Sequence, residues 1–170
     1  GVARKKITDW NVYRNELENR LGKDNKLMRS LADKAKRNPK RIVFAEADTY
    51  KILKAAQVVR DEGIAHPILL GNQQKIEQIA QQHNLDLNDM PIIDPASDAQ
   101  EQYRIEFGDL LWNKRQRRGL TQYDARKQMR DRNYFGCMMV ERGMADAMIS
   151  GLTRKYGQPI RPALQVIDLE

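Results

Sequence analysis

Three short apolar runs alternate with two helix-patterned segments between residues 41 and 94, and that alternation limits the fold more than any other feature of the chain. Arg41-Ile42-Val43-Phe44-Ala45, Pro67-Ile68-Leu69-Leu70-Gly71 and Met90-Pro91-Ile92-Ile93-Asp94 are brief and apolar enough to be strands. From Thr49 to Glu62, residues Ile52, Leu53, Ala56 and Val59 fall on one helical face, and Gly63 closes the segment. Lys75 to His83 repeats the pattern more weakly, with Ile76, Ile79 and Ala80 inward. Strand–helix–strand order of this kind predicts an α/β fold with a parallel sheet covered by helices.

The segments on either side extend the pattern. Ser97 and Gln100 have capping-box spacing ahead of a helix from Asp98 to Arg118, which Gly119 ends. Thr121 with Asp124 opens another, and a further helix runs from Tyr134 to Arg142 before Gly143. Ala145-Asp146-Ala147-Met148-Ile149 is a fourth strand, and Pro162 is placed in the first turn of a last helix. The first forty residues read as a helical arm. Trp10, Tyr13, Leu17 and Leu21 line one helix, with Gly22 as its stop, and Leu27, Met28, Leu31 and Ala35 line a second. Asn38-Pro39 breaks the chain there. An arm ahead of the first strand fits a linker that docks on another domain or subunit.

Composition narrows the setting. A chain of 170 residues, 41% apolar, suits one α/β domain. No run is long enough to span a bilayer, and Gly1-Val2-Ala3-Arg4-Lys5-Lys6 lacks the apolar stretch of a signal peptide, so a cytoplasmic protein is expected. The lone cysteine, Cys137, sits in the apolar run Phe135 to Val140 and reads as a small buried hydrophobe rather than a nucleophile. His66 and His83 are far apart and outside any ligand-spaced cluster, so no metal site is expected. The net charge of 30 − 23 = +7 favours anionic partners. The basic cluster Lys114-Arg115-Gln116-Arg117-Arg118 lacks interleaved aromatic residues, which argues against single-stranded nucleic acid.

The end of the fourth strand is the candidate site, because open α/β sheets bind ligands beyond the carboxyl ends of their strands. Ser150, Gly151, Thr153, Arg154 and Lys155 stand there, with Arg161 next to the expected helix start. Hydroxyls, exposed amides and cationic side chains together suit a phosphate-like anion, while an ordinary basic surface loop would look the same. In the second basic cluster, Arg117 and Arg118 read as a solvated helix end, and Arg115 is open to a ligand role. Glu46 and Asp48, just after the first strand, either orient a ligand or an arginine across the sheet edge or cap the next helix. There is no catalytic triad, Walker loop or Gly-x-Gly-x-x-Gly fingerprint, so no catalytic residue is assigned.

Several of these segments resemble one family in order and spacing. Arg41 to Glu46, the helix with Lys54-Ala55-Ala56, and Glu62-Gly63-Ile64-Ala65-His66-Pro67-Ile68-Leu69-Leu70-Gly71 look like the opening of the phosphate acetyl/butyryltransferases. Arg115 followed by Gly119-Leu120-Thr121 is similar to that family's Arg-then-Gly-Met-Thr segment. Ala145 to Gly151, then Ile160-Arg161-Pro162-Ala163-Leu164-Gln165-Val166-Ile167, is similar to its strand–Ser-Gly–loop–Arg-Pro segment. Thr8 to Tyr13 and Lys26 to Arg29, leading to Asn38-Pro39-Lys40-Arg41, resemble the connection into the C-terminal module of bacterial NADP-dependent hybrid malic enzymes.

The resemblance implies a three-layer α/β/α sandwich like that of isocitrate dehydrogenase, with residues 1–40 as the arm and 41–170 as the first of two lobes, the second lying outside this chain. It implies a homo-oligomer working as a dimer, with the ligand in a cleft between the two lobes and arginines matching Arg115 and Arg161 lining that cleft. It implies a regulatory module that senses acetyl-CoA or a related acyl-CoA or phosphate, beside a malic-enzyme catalytic domain in the same polypeptide. That domain would hold NADP and a divalent metal, Mg or Mn. The alternative is a piece of a phosphate acetyltransferase moving acetyl between CoA and phosphate. Arg154, Lys155 and Tyr156 stand where transferases carry a His-Ser/Thr-Thr run, which counts against that chemistry. Neither nucleic acid nor a membrane is an expected partner.

Overall fold

The computed structural model describes residues 9–14, 22–155 and 157–167. The chain divides into two compact units, Gly1–Asn38 and Pro39–Glu170. In the first, residues 10–14 are helical, and the Trp10 and Tyr13 rings meet edge to face at 6.2 Å. Helix α1 spans Gly22–Arg37. Gly22, expected as a stop, is the first residue of α1, a terminal position where glycine costs little. Leu27, Met28 and Leu31 of the expected apolar stripe are exposed, and Leu17 and Leu21 lie outside the described residues.

The second unit is built on a four-stranded parallel sheet in the order β3-β2-β1-β4. Its strands are β1 (Lys40–Phe44), β2 (Ala65–Leu70), β3 (Ile92–Ile93) and β4 (Ala147–Ile149). Successive side chains of a strand point to opposite faces, and the core divides accordingly. Phe44 and Leu69 face one way, into a cluster with Leu53 and Ala56 of α2 (Tyr50–Asp61) and Ile76 of α3 (Gln73–Gln82). Val43, Ile68 and Leu70 face the other way. They meet Phe107 and Leu111 of α4 (Glu101–Arg115), Ala125 of α5 (Gln122–Gln128), Phe135 and Met138 of α6 (Arg132–Glu141) and Val166 of α7 (Gly157–Val166). Helices thus cover both faces of the sheet. Among the described residues no helix is long and apolar enough to cross a membrane.

Close helix contact depends on one glycine. A Cβ at Gly108 in α4 would lie 2.5 Å from the Arg126 Cα, so α4 and α5 approach backbone to backbone there. Arg126 then turns back to bind the Asp109 carboxylate with both Nε and Nη2, at 2.7 and 2.9 Å.

Local expectations fail mainly at the ends of elements. The helix expected from Asp98 to Arg118 is α4 flanked by two 3-10 turns, Asp98–Gln100 and Gln116–Arg118. Ser97 makes no capping bond, because its hydroxyl donates to the Asp94 carbonyl at 2.8 Å. Thr121 does cap α5, accepting the Asp124 N–H at 3.1 Å. The fourth strand starts two residues late because the Asp146 carboxylate is turned to Arg41, taking its backbone N–H at 2.8 Å. The third is reduced to two residues, with Pro91 contributing only its carbonyl, to the Leu69 N–H. Pro162 is buried inside α7 and not in its first turn, so Arg161 is a helix residue and does not precede the helix.

Candidate functional site

Register brings the site together. Phe44 of β1 pairs with Ile149 of β4, so two residues further on Glu46 lies opposite Gly151. Glu46 is 1% exposed, and its carboxylate fills the turn after β4. Its Oε1 accepts the Gly151 N–H at 2.9 Å and its Oε2 the Thr153 N–H at 2.7 Å. The Ser150 hydroxyl lies 3.2 Å from Glu46 Oε1 and 2.7 Å from Oδ1 of buried Asn133. A hydroxyl has one proton, so it donates to the carboxylate when the Asn133 amide turns its nitrogen inward. Burial pushes the Glu46 pKa up, but the bonds from Gly151, Thr153 and Ser150 outweigh it and hold the group below the usual carboxylate range. The amides expected to receive an external anion therefore receive an internal one.

Asp48 is the arginine-orienting acid. It pairs with both Nη atoms of Arg132, the second at 3.1 Å, and with Lys75 Nζ at 3.3 Å. Burial raises its pKa, and these two cations lower it further than burial lifts it. Neither Glu46 nor Asp48 caps α2, whose N-cap residue, Thr49, makes no side-chain bond.

Five of the seven anion-site candidates border three neighbouring hollows around α7. Arg115 and Arg161 line the same one, of about 560 Å³, together with Arg118, Leu120, Ile160 and Leu164. Ser150, Gly151 and Arg154 line a second of about 460 Å³ with Met148 and Pro159. Arg154 and Arg161 also border a third of about 310 Å³, beside Asp131 and Tyr134. Thr153 enters none of these, and Lys155 is exposed outside them. Arg154 sits 3.8 Å from the Asp131 carboxylate.

Arg115 does something that spacing gave no hint of. Its Nε donates to the Gln165 carbonyl at 2.9 Å and its Nη2 to the Leu164 carbonyl at 2.8 Å. Lys114, beside it, donates to the Val166 carbonyl at 3.0 Å. The last turn of α4 thus caps the carbonyl end of α7 with two cations, the end where positive charge is favourable. Arg118, read from sequence as a solvated helix end, lines the large hollow. Leu120, Ile160 and Leu164, which supply its apolar wall, carried no sequence signal beyond ordinary hydrophobicity.

Cys137 is buried, and burial with the nearby Asp131 charge pushes its thiol up to about 12. Among the described residues no group of three or more His, Cys, Asp or Glu is placed to hold a metal ion.

Comparison with known proteins places this geometry. Residues 26–170 match the family described as phosphate acetyl/butaryl transferase. The chain is 39% identical over 142 residues to a phosphate acetyltransferase of Thermoanaerobacterium thermosaccharolyticum, covering 83% of this chain and 42% of that protein. It is 31% identical over 170 residues to an NADP-dependent malic enzyme of Rhizobium meliloti, covering 99% of this chain and 22% of that one. The EutD phosphotransacetylase from Staphylococcus aureus superposes with a TM-score of 0.73 at 31% identity, over 86% of this chain and 43% of that structure. The chain spans less than half the length of each of these relatives.

Proposed function

Given that the chain belongs to the phosphate acetyl/butaryl transferase family, we propose that it is the regulatory and oligomerising module of an NADP-dependent malic enzyme, and that its arginine-lined hollow senses acetyl-CoA. The observation that carries this reading is coverage. The similarity to the Rhizobium meliloti malic enzyme takes in 99% of the chain, helical arm included, whereas similarity to the Thermoanaerobacterium phosphate acetyltransferase takes in 83%. The site agrees. Its strand-end amides are filled by Glu46, and its open cationic hollow lies between α4 and α7. Such a hollow binds an anion without offering a nucleophile or a base.

In this reading residues 1–40 are the arm that leads from the malate-oxidising domain, and residues 41–170 are the first lobe of a two-lobed, homo-oligomeric module. The parent reaction is oxidative decarboxylation of malate to pyruvate. Its NADP and divalent metal, Mg or Mn, would be held by the malate-oxidising domain. The module works in the cytoplasm, away from nucleic acid and membrane.

Phosphate acetyl transfer remains the second reading, favoured by the 39% identity to a phosphate acetyltransferase. One experiment separates them. The full-length protein is titrated with acetyl-CoA by calorimetry and assayed for acetyl-CoA formation from acetyl phosphate and CoA. Binding without turnover is the expected result. Turnover would replace the regulatory reading with the transferase one, and absence of binding would remove acetyl-CoA from both.

A further inference from the structure

The first unit, residues 1–38, differs from the rest of the chain in charge. It holds eleven Lys and Arg against five Asp and Glu, 11 − 5 = +6, so nearly all of the net +7 lies there. Residues 39–170 are close to neutral, at 19 − 18 = +1. The same unit is where apolar side chains stand in solvent. Of the fourteen large hydrophobic residues exposed among the described ones, six belong to it: Trp10, Val12, Tyr13, Leu27, Met28 and Leu31. Single exposed hydrophobic residues are ordinary, but a concentration of them on a short segment marks a contact surface. Trp10 and Tyr13, 69% and 39% exposed, meet edge to face. Their turn is fixed locally by Asp9, whose Oδ1 accepts the Asn11 N–H at 2.7 Å and the Val12 N–H at 3.3 Å. The capped turn holds the two rings on one helical side, three residues apart, before any partner arrives.

We infer that the Trp10–Tyr13 pair, with the exposed apolar stripe and cations of α1, is a docking surface for the malate-oxidising domain of the same protein. The chemistry it asks of that domain is an apolar recess for the two rings, bordered by carboxylates. The inference rests on the malic-enzyme reading above and goes beyond it in naming the contact residues and the surface they fit. Coverage chooses the occupant. Trp10 and Tyr13 stand ahead of the transferase-family match, which begins at residue 26. The similarity to the Rhizobium meliloti malic enzyme takes in 99% of the chain and so includes them. The pair therefore belongs to what this chain shares with a malic enzyme and lies outside what makes it transferase-like. Charge agrees with that choice. The arm of a second copy would bring +6 against +6, and like charges placed face to face disfavour association, whereas an acidic rim would attract this surface and fix its register. Trp and Tyr are the residues that most often anchor such contacts.

The test is made on the full-length protein. A carbodiimide joins lysine amines directly to neighbouring carboxylates, and Lys34 and Lys36 are exposed on α1. Cross-links from these lysines to Asp or Glu of the malate-oxidising domain are expected, identified by peptide mass spectrometry. Trp10→Ala should lower their yield at least about threefold and speed amide exchange over residues 9–14 about tenfold, with exchange in α2 unchanged. Tyr13→Ala should act in the same direction, and Trp10→Phe should keep most of the protection. Cross-links found only to residues 39–170 or to the arm of a second copy overturn the assignment, as do unchanged cross-linking and exchange in Trp10→Ala. Co-sedimentation of the full-length protein with anionic phospholipid vesicles that is lost in Trp10→Ala would also overturn it, giving the surface to a membrane. Each of these outcomes leaves the malic-enzyme reading standing, whereas a full-length protein that does not oxidise malate with NADP ends both.

Discussion

Glu46 accepts the backbone N–H of Thr153 at 2.7 Å, so a buried carboxylate at the end of β1 shapes the turn that follows β4. Losing it strands the Gly151 and Thr153 amides and opens a void. Glu46→Ala is expected to lower stability by about 2–3 kcal/mol, from the loss of part-buried hydrogen bonds to a charged acceptor. Glu46→Gln keeps one acceptor but brings an NH₂ against donors, and should cost on the order of 1 kcal/mol. Urea unfolding at neutral pH checks both. Equal stability of the alanine variant and the parent would show that the turn holds itself.

Acid should remove this support. Glu46 and Asp48 both have folded-state pKa values below their ordinary ones. A depressed carboxylate contributes fully above the unfolded value of about 4, and its contribution is lost as pH falls through the folded value. The stability gap between the parent and Glu46→Gln is therefore expected to be largest at neutral pH and to shrink below about pH 4. Urea midpoints measured from pH 7 down to pH 3 for both proteins give the comparison. A gap independent of pH would mean that the Glu46 charge plays no part.

The carbonyl end of α7 depends on two neighbouring cations. Arg115 takes the Leu164 and Gln165 carbonyls, and Lys114 takes that of Val166. Lys114→Ala is expected to cost about 1 kcal/mol locally, which appears as roughly fivefold faster amide exchange in the last turn of α7. Exchange in α2, on the opposite face of the sheet, should not change. Uniform acceleration across both helices would point to a global effect.

Apolar periodicity was enough to read β1, β2, α2 and α3, because each buries one face against the sheet and the spacing of Leu53, Ala56 and Ile76 reports that face directly. Ends were harder. Ser97 has the residues of a capping box but spends its hydroxyl on Asp94, and Pro162 has the look of a helix start but lies well inside α7. The alternative at Ser97 is a turn bond only three residues back, which capping-box spacing does not exclude, and nothing in the spacing at Pro162 marks the helical turn ahead of it. The site was legible only as a region. Ser150, Gly151 and Thr153 mark the right turn, yet that Glu46 fills it follows from the pairing of Phe44 with Ile149 and from nothing nearer in sequence. Arg115 binds main-chain carbonyls, which every residue has, so no sequence signature distinguishes its partners. By sequence Arg118 is indistinguishable from a solvated helix end, where cations are favourable anyway, and only the fold places it on the wall of the hollow.

Two glycines should respond differently to alanine. At Gly108 the new methyl would lie 2.5–2.8 Å from the Arg126 backbone, which cannot give way without separating α4 from α5. At Gly136 it would meet the Met148 thioether at 2.5 Å, a flexible group, with Leu70 and Val43 side chains at 3.2 and 3.3 Å. Alanine gains up to about 1 kcal/mol of helix propensity at either site, against an overpacking cost of about 1–3 kcal/mol. Gly108→Ala is therefore expected to destabilise by about 2 kcal/mol, and Gly136→Ala by less than half of that. Thermal and urea unfolding of the two variants give the order, and a Gly136→Ala cost equal to or above that of Gly108→Ala would contradict it.

Cys137 offers a direct probe of opening in the core. It is 1% exposed among Phe135, Met138 and Met139 on α6, and its thiol is pushed up to about 12. The thiolate is the reactive form, so at pH 8 both access and ionisation oppose labelling. Reaction with a thiol-specific disulfide reagent is expected to be at least about 1000-fold slower in the native protein than in denaturant, and to follow the opening equilibrium. Glu46→Ala, expected to lower stability, should accelerate it in proportion. Prompt stoichiometric labelling of the native protein at pH 8 would place Cys137 at the surface and contradict the packing of α6 against the sheet.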